Sequence, residues 1–156
     1  KKLFYKNISS NLSSFHKMNI KSKLFIKMKQ WSQQKKYLKN INMPLKVNQI
    51  TLSSYIKKKR INNIDILKID TQGYEEQVLK GIYSNYLKKI KTIVVEINIW
   101  DFYKKNTSFN DVEKIIGKYF QLWDISYLYK NPKYHSTDYV DAIYINKLYL
   151  KKIKYT

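Results

Sequence analysis

Two apolar runs constrain this chain more than any other feature. "IDILKID" (64–70) and "KTIVVEINI" (91–99) are dense in Ile, Leu and Val, the composition of strands buried on both faces of a parallel sheet. Between them lies "YEEQVLKGIYSNYLKKI" (74–90). Its Val78, Leu79, Ile82 and Tyr86 recur at helical spacing, and Glu75 and Glu76 suit the positive end of a helix dipole. Strand, helix and strand in that order predict a crossover unit whose two strands run parallel.

The pattern continues on both sides. "KLFYKNIS" (2–9) and "LKVNQI" (45–50) read as short strands, separated by the polar loop "SSNLSSFHKMN" (9–19) and a helix from Ile20 to Leu38. That helix rests on Leu24, Phe25, Met28, Trp31 and Leu38 and ends before Pro44. "TLSSYIKKKRI" (51–61) predicts a helix capped by Thr51 or Ser53, and "SFNDVEKIIGKYF" (108–120) one capped by Ser108 or Asn110. "FQLWDISYLYK" (120–130) and "VDAIYIN" (140–146) close the chain as an antiparallel strand pair. With three glycines, two prolines and no repeat, no linker can be placed, so residues 1–156 read as a single α/β domain.

Composition removes several function classes. There is no cysteine, so disulfides and thiolate metal sites are excluded. His16 and His135 have no matching carboxylate spacing, and no metal site is expected. No apolar run reaches the roughly 20 residues of a membrane span, since Glu96 breaks even the second strand, and "KKLFYKNISS" lacks the apolar core of a signal peptide. A cytoplasmic location is compatible with all of this. The chain begins with Lys1 rather than Met, which reads as a piece cut from something longer. The net charge of +20 is spread along the chain, and every basic residue but Arg60 is lysine. Their company of Asn, Ile and Tyr points to A/T-rich codon usage, with a polyanion-binding or nucleic-acid-binding face as the competing reading.

Against that background the carboxylates gather in one place. Asp70 closes the first apolar strand and Glu96 lies late in the second, at the strand ends where ligands bind in open α/β sheets. Gly73 permits a tight turn between strand and helix, and Glu75 stands at the helix mouth. Structural duties compete: Asp70 as a helix cap, Gly73 as a turn residue, Glu75 as a dipole partner. Glu96 resists such dismissal, because a carboxylate inside an apolar strand is costly unless paired or turned to a site. "WDFYKKN" (100–106), opening with Trp100, joins aromatics to cations and lines either a substrate mouth or the core edge.

Residues 50–125 resemble the second half of the FkbM family of methyltransferases. The likeness is carried by "LKIDTQGYE", the "VLKG" helix and the "VE" strand, and extends over roughly 45–146, with the serine-rich loop before it. The resemblance implies a partial Rossmann-like class I fold, a mostly parallel sheet ending in an antiparallel strand pair. It also implies S-adenosylmethionine as cofactor and O-methylation of a sugar or other hydroxylated small molecule. On that reading Asp70 and Glu96 are catalytic, while Gln72, Gly73, Glu75 and Trp100 bind substrate. Two departures matter. Ser53 replaces the family's usual aspartate, and no glycine precedes Gly73, so the family's Asp-x-Gly-Ala-Asn-x-Gly donor loop is missing. The chain is therefore expected to be the acceptor-side, N-terminally truncated part of such an enzyme, inactive alone and unable to hold the cofactor. A catalytically inactive remnant that binds polyanions is the alternative.

Overall fold

The computed structural model describes residues 1–7, 9–22, 25–26, 40–130 and 135–151. In chain order these form β1 (Lys2–Lys6), a 3₁₀ turn (Ser10–Leu12), β2 (Met43–Val47), α1 (Leu52–Lys59), β3 (Ile64–Ile69), α2 (Glu75–Lys80) and α3 (Ser84–Leu87). They continue through β4 (Ile90–Asn98), α4 (Phe109–Ile116), β5 (Phe120–Lys130), β6 (Thr137–Asn146) and α5 (Lys147–Leu150). The helix expected from Ile20 to Leu38 lies largely outside the described residues.

β3, β4, β6 and β5 form a four-stranded sheet in that spatial order. β3 and β4 are parallel, with Ile69 opposite Val95, as the crossover pattern predicts. β6 is antiparallel to both β4 and β5. Three strands thus share a direction and β6 alone opposes them. The mostly parallel sheet holds in strand direction but not in pairing, because the reversed strand slots between β4 and β5 and makes two of the three ladders antiparallel. β1 and β2 stay outside this sheet and pair with each other, Phe4 opposite Leu45.

The steps from β3 to β4 and from β4 to β5 advance the same way across the sheet, so right-handed crossovers put α2 and α4 on one face, where they touch. That face holds the core. Ile93, Val95 and Ile97 of β4 meet Val140, Ala142 and Tyr144 of β6, with Leu79 from α2 and Val112 and Ile116 from α4 packed over them. Side chains alternate across a strand, which leaves Glu96 and Asn98 on the opposite face, beside Asp141 and Tyr139 of β6. No helix among the described residues covers this second face. A carboxylate in an apolar strand is tolerated because it points away from the core.

Local chemistry sets the helix ends. Thr51 caps α1, accepting from the Ser54 amide at 3.1 Å. Ser108 caps α4 in a reciprocal box with Asp111. Ser53 is buried and accepts from the Tyr83 amide at 2.7 Å. That contact explains why the helix expected over 74–90 is two pieces: α2 stops at Gly81, Tyr83 is extended at φ −70° and ψ 151°, and α3 restarts after it. An unbroken helix would direct the Tyr83 amide to the Leu79 carbonyl; Ser53 takes it instead. No helix among the described residues is long and apolar enough to cross a membrane.

Candidate functional site

β3 and β4 end side by side, and the turn after β3 curls over the gap between them. Gln72 and Gly73 both adopt positive φ, 58° and 88°. Gly73 is required there twice over. Its backbone is left-handed, and a Cβ would stand 3.0 Å from the Lys105 carbonyl and 3.2 Å from the Tyr103 ring. Glu75 locks the turn from the first residue of α2: its Oε1 accepts from the Thr71 amide (2.9 Å), the Gly73 amide (3.0 Å) and the Thr71 hydroxyl (3.2 Å). The Ser14 hydroxyl donates to the Gln72 carbonyl at 2.7 Å, which fastens the serine-rich loop to the same turn.

The Gln72 side chain is the hub. Its Nε2 donates to Asp70 Oδ1 at 2.7 Å and to Glu96 Oε1 at 3.3 Å, while its Oε1 accepts from the Tyr103 hydroxyl at 2.8 Å. One amide therefore bridges carboxylates delivered by two neighbouring strands. Asn98, two residues past Glu96 and on the same face, also donates to Glu96 Oε1, at 3.5 Å. Asp70 is exposed, whereas Glu96 is 8% exposed. Burial above all, and next the Asp70 carboxylate, push the Glu96 carboxyl up to about 7, against a smaller opposing pull from Lys68. Near neutral pH this residue is divided between its charged and protonated forms.

A cavity of about 400 Å³ opens at this point. Its floor comes from Asp70, Thr71 and Gln72 of the turn with Glu96 and Asn98 of β4, its side from Phe102 and Tyr139, and its roof from Ser10 to Ser13. Two other hollows, one beside Leu52 and one beside Met18, carry no carboxylate. The polar loop read in the sequence is thus the lid of the crevice.

The structure brings Asp70, Gln72 and Glu96 together and separates the other candidates from them. Asp70 caps no helix, since Tyr74 holds the N-cap position of α2. Gly73 shapes the turn behind the crevice. Glu75 is wholly buried and braces that turn rather than lining the cavity. Trp100 is also absent from the lining. Its carbonyl accepts from Asn106 at 2.5 Å and its amide donates to Asp138, so it stabilises the loop that carries Phe102 and Tyr103. Sequence reasoning missed Asn98, which the two-residue period from Glu96 signals, and Tyr139 and the roof, which no local pattern signals; Tyr103 and the lining residue Phe102 lie in the "WDFYKKN" stretch read as a substrate mouth or core edge, without being singled out. His16 packs its ring edge-on against Tyr74 and contacts the Lys105 carbonyl at 2.8 Å. No metal-holding group occurs among the described residues.

Glycines show how the site relates to the cofactor that the resemblance implies. The Cβ position of Gly73 is filled by Lys105 and Tyr103, that of Gly81 lies 3.2 Å from the Val78 carbonyl, and that of Gly117 lies 2.5 Å from the Glu113 carbonyl. Each glycine admits protein rather than ligand, so the described residues do not fit a nucleoside cradle.

An α/β domain with paired acids at adjacent strand ends is the setting in which comparison with known families becomes informative. The family model described as Methyltransferase FkbM domain matches residues 6–128, taking in the roof, the turn and both carboxylate strands. The chain belongs to this family of methyltransferase domains. Comparisons with curated proteins and with solved structures gave no match.

Proposed function

We propose that the crevice receives a sugar or similar hydroxylated small molecule, and that the chain is the acceptor side of an S-adenosylmethionine-dependent O-methyltransferase with a Rossmann-like class I arrangement. The observation that carries this reading is the bridge through Gln72, which holds Asp70 and Glu96 together in the lining of a cavity large enough for a monosaccharide-sized ligand. The reversed β6 between β4 and β5 supports it, being the sheet ending expected of that class.

The residues present account for the acceptor's half of the chemistry. A hydroxyl that gains a methyl group loses its proton, and an exposed carboxylate at hydrogen-bond distance orients the oxygen and takes that proton. Asp70 fills this role. Glu96, buried and near its midpoint at neutral pH, holds charge or proton beside it, and Gln72 and Asn98 fix the pair's geometry. No step here depends on residues that hold the donor.

The test is methyl transfer by the full product of the gene, with labelled donor and a panel of hydroxylated acceptors. Transfer to at least one acceptor, reduced about 10²–10⁴-fold by Asp70→Asn, is the expected outcome. No transfer to any of them, or an Asp70→Asn variant as fast as the parent, sinks the reading.

A further inference from the structure

The crevice differs in charge from the rest of the molecule. The chain carries 31 basic residues against 11 acidic ones, yet every residue lining the cavity comes from four segments without a lysine or arginine: 7–16, 69–79, 92–103 and 134–146. Of the lysines that border these segments, Lys68 pairs with Asp141 and Lys80 with Glu76, and Lys68, although it pulls on Glu96 from outside, does not line the cavity. Among the described residues of the lining the only charged groups are Asp70 and Glu96.

Glu96 supplies a second and independent observation. It is more than nine-tenths buried and lines the cavity. Its Oε1 is held by Gln72 and Asn98, whereas its Oε2 accepts no hydrogen bond among the described residues. That oxygen is left to accept from a ligand in the cavity.

We infer that the crevice selects its acceptor by charge: a molecule bearing an ammonium group beside its hydroxyl is preferred, an uncharged polyol comes second, and an acceptor carrying carboxylate or phosphate is rejected. This rests on reading the crevice as the acceptor site. The ammonium satisfies Glu96 Oε2 while the neighbouring hydroxyl faces Asp70. A neutral hydroxyl satisfies the same oxygen without the Coulomb attraction. An anion meets two carboxyl groups with no lysine or arginine among the described lining residues to offset them. In a cleft open to water, at an effective dielectric of about 60, one favourable charge contact about 4 Å long corresponds to roughly tenfold in affinity. The lysine surface acts the other way and draws anions to the exterior, but that attraction is screened at an ionic strength of about 0.15 M.

The experiment uses three compact polyols of matched shape on the isotope-labelled chain near neutral pH: tris(hydroxymethyl)aminomethane, pentaerythritol and 2,2-bis(hydroxymethyl)propionate. The readout is the amide shifts of Gln72 and Asn98, which lie in the crevice and not on the lysine surface. The amine is expected to bind about tenfold tighter than pentaerythritol, and the carboxylate to leave these amides unmoved. In Glu96→Gln, and separately in the exposed Asp70→Asn, the ratio of amine to pentaerythritol affinity falls severalfold. Equal binding of amine and neutral polyol, binding of the carboxylate at these amides, or no shift with any of the three overturns the inference. A failed methyl-transfer assay with the charge series intact would instead remove the enzyme reading and leave a cation-selective polyol site.

Discussion

Tyr103 decides which way the Gln72 amide faces. Its hydroxyl donates to Gln72 Oε1 at 2.8 Å, so the amide's nitrogen is the end presented to Asp70 and Glu96. Burial pushes the Tyr103 phenol well above its ordinary range, which keeps it a donor at any pH the protein meets. A residue in the loop after β4 thereby sets the polarity of a bridge between β3 and β4.

Tyr103→Phe tests this relationship, because it keeps the buried ring and removes only the hydroxyl. The stability cost is expected to be about 1 kcal/mol. With the amide free to turn its oxygen toward the carboxylates, the Glu96 midpoint rises above its value of about 7. A carboxyl titration followed by NMR reads it, and an unmoved midpoint would show that Tyr103 does not orient the bridge.

Glu96 links stability to pH. Its folded-state value of about 7 lies above the ordinary 4.5, so the folded chain binds this proton more tightly than the unfolded one. The stabilising contribution is complete below the unfolded value and is lost as pH climbs through the interval to the folded one. Glu96→Gln should flatten the fall in Tm over that interval relative to the parent. Parallel Tm curves for the two proteins would contradict the assignment.

Glu75 is the brace of the turn, and its three donors converge on one oxygen. Glu75→Ala leaves two amides and a hydroxyl without their partner and should cost about 3 kcal/mol in urea denaturation. Glu75→Gln retains an acceptor oxygen and should cost about 1 kcal/mol. Equal losses for the two would mean that charge, not hydrogen-bond geometry, is what the turn requires.

Gly73→Ala places a methyl at positive φ against the Lys105 carbonyl and the Tyr103 ring. Strain and crowding together should cost about 1–3 kcal/mol. Because Tyr103 must shift to admit the methyl, the Glu96 titration should change along with the Tm. A variant as stable as the parent would show the loop can be re-formed without the left-handed residue.

Much of the architecture was legible because it is written in local periodicity. The apolar runs at 64–70 and 91–99, the helical spacing between them and the cap at Ser108 each express a physical demand of the segment's own residues. The break at Gly81 was not legible, since it depends on Ser53, nearly thirty residues earlier, taking the Tyr83 amide. Asp70 and Glu96 were readable as a pair because parallel neighbours place their ends together. That Glu75 braces the turn and Trp100 lies outside the lining was not, because both residue types suit a substrate site and only the folded chain shows their partners.

Residue order alone determined that two apolar strands would each carry an acid near the carboxyl end and that a glycine would turn the chain between them, whereas the burial on both faces expected of 64–70 did not hold, because β3 is the edge strand and only its Ile69 is buried. Tertiary structure decided which face Glu96 occupies, that a distant serine-rich loop roofs the crevice, and that Tyr103 orients the amide joining the two acids. The reason is one of range. Hydrophobic periodicity and turn chemistry act over a few neighbouring residues, whereas burial of a carboxylate and the direction of an amide are set by groups that only the folded chain brings into contact.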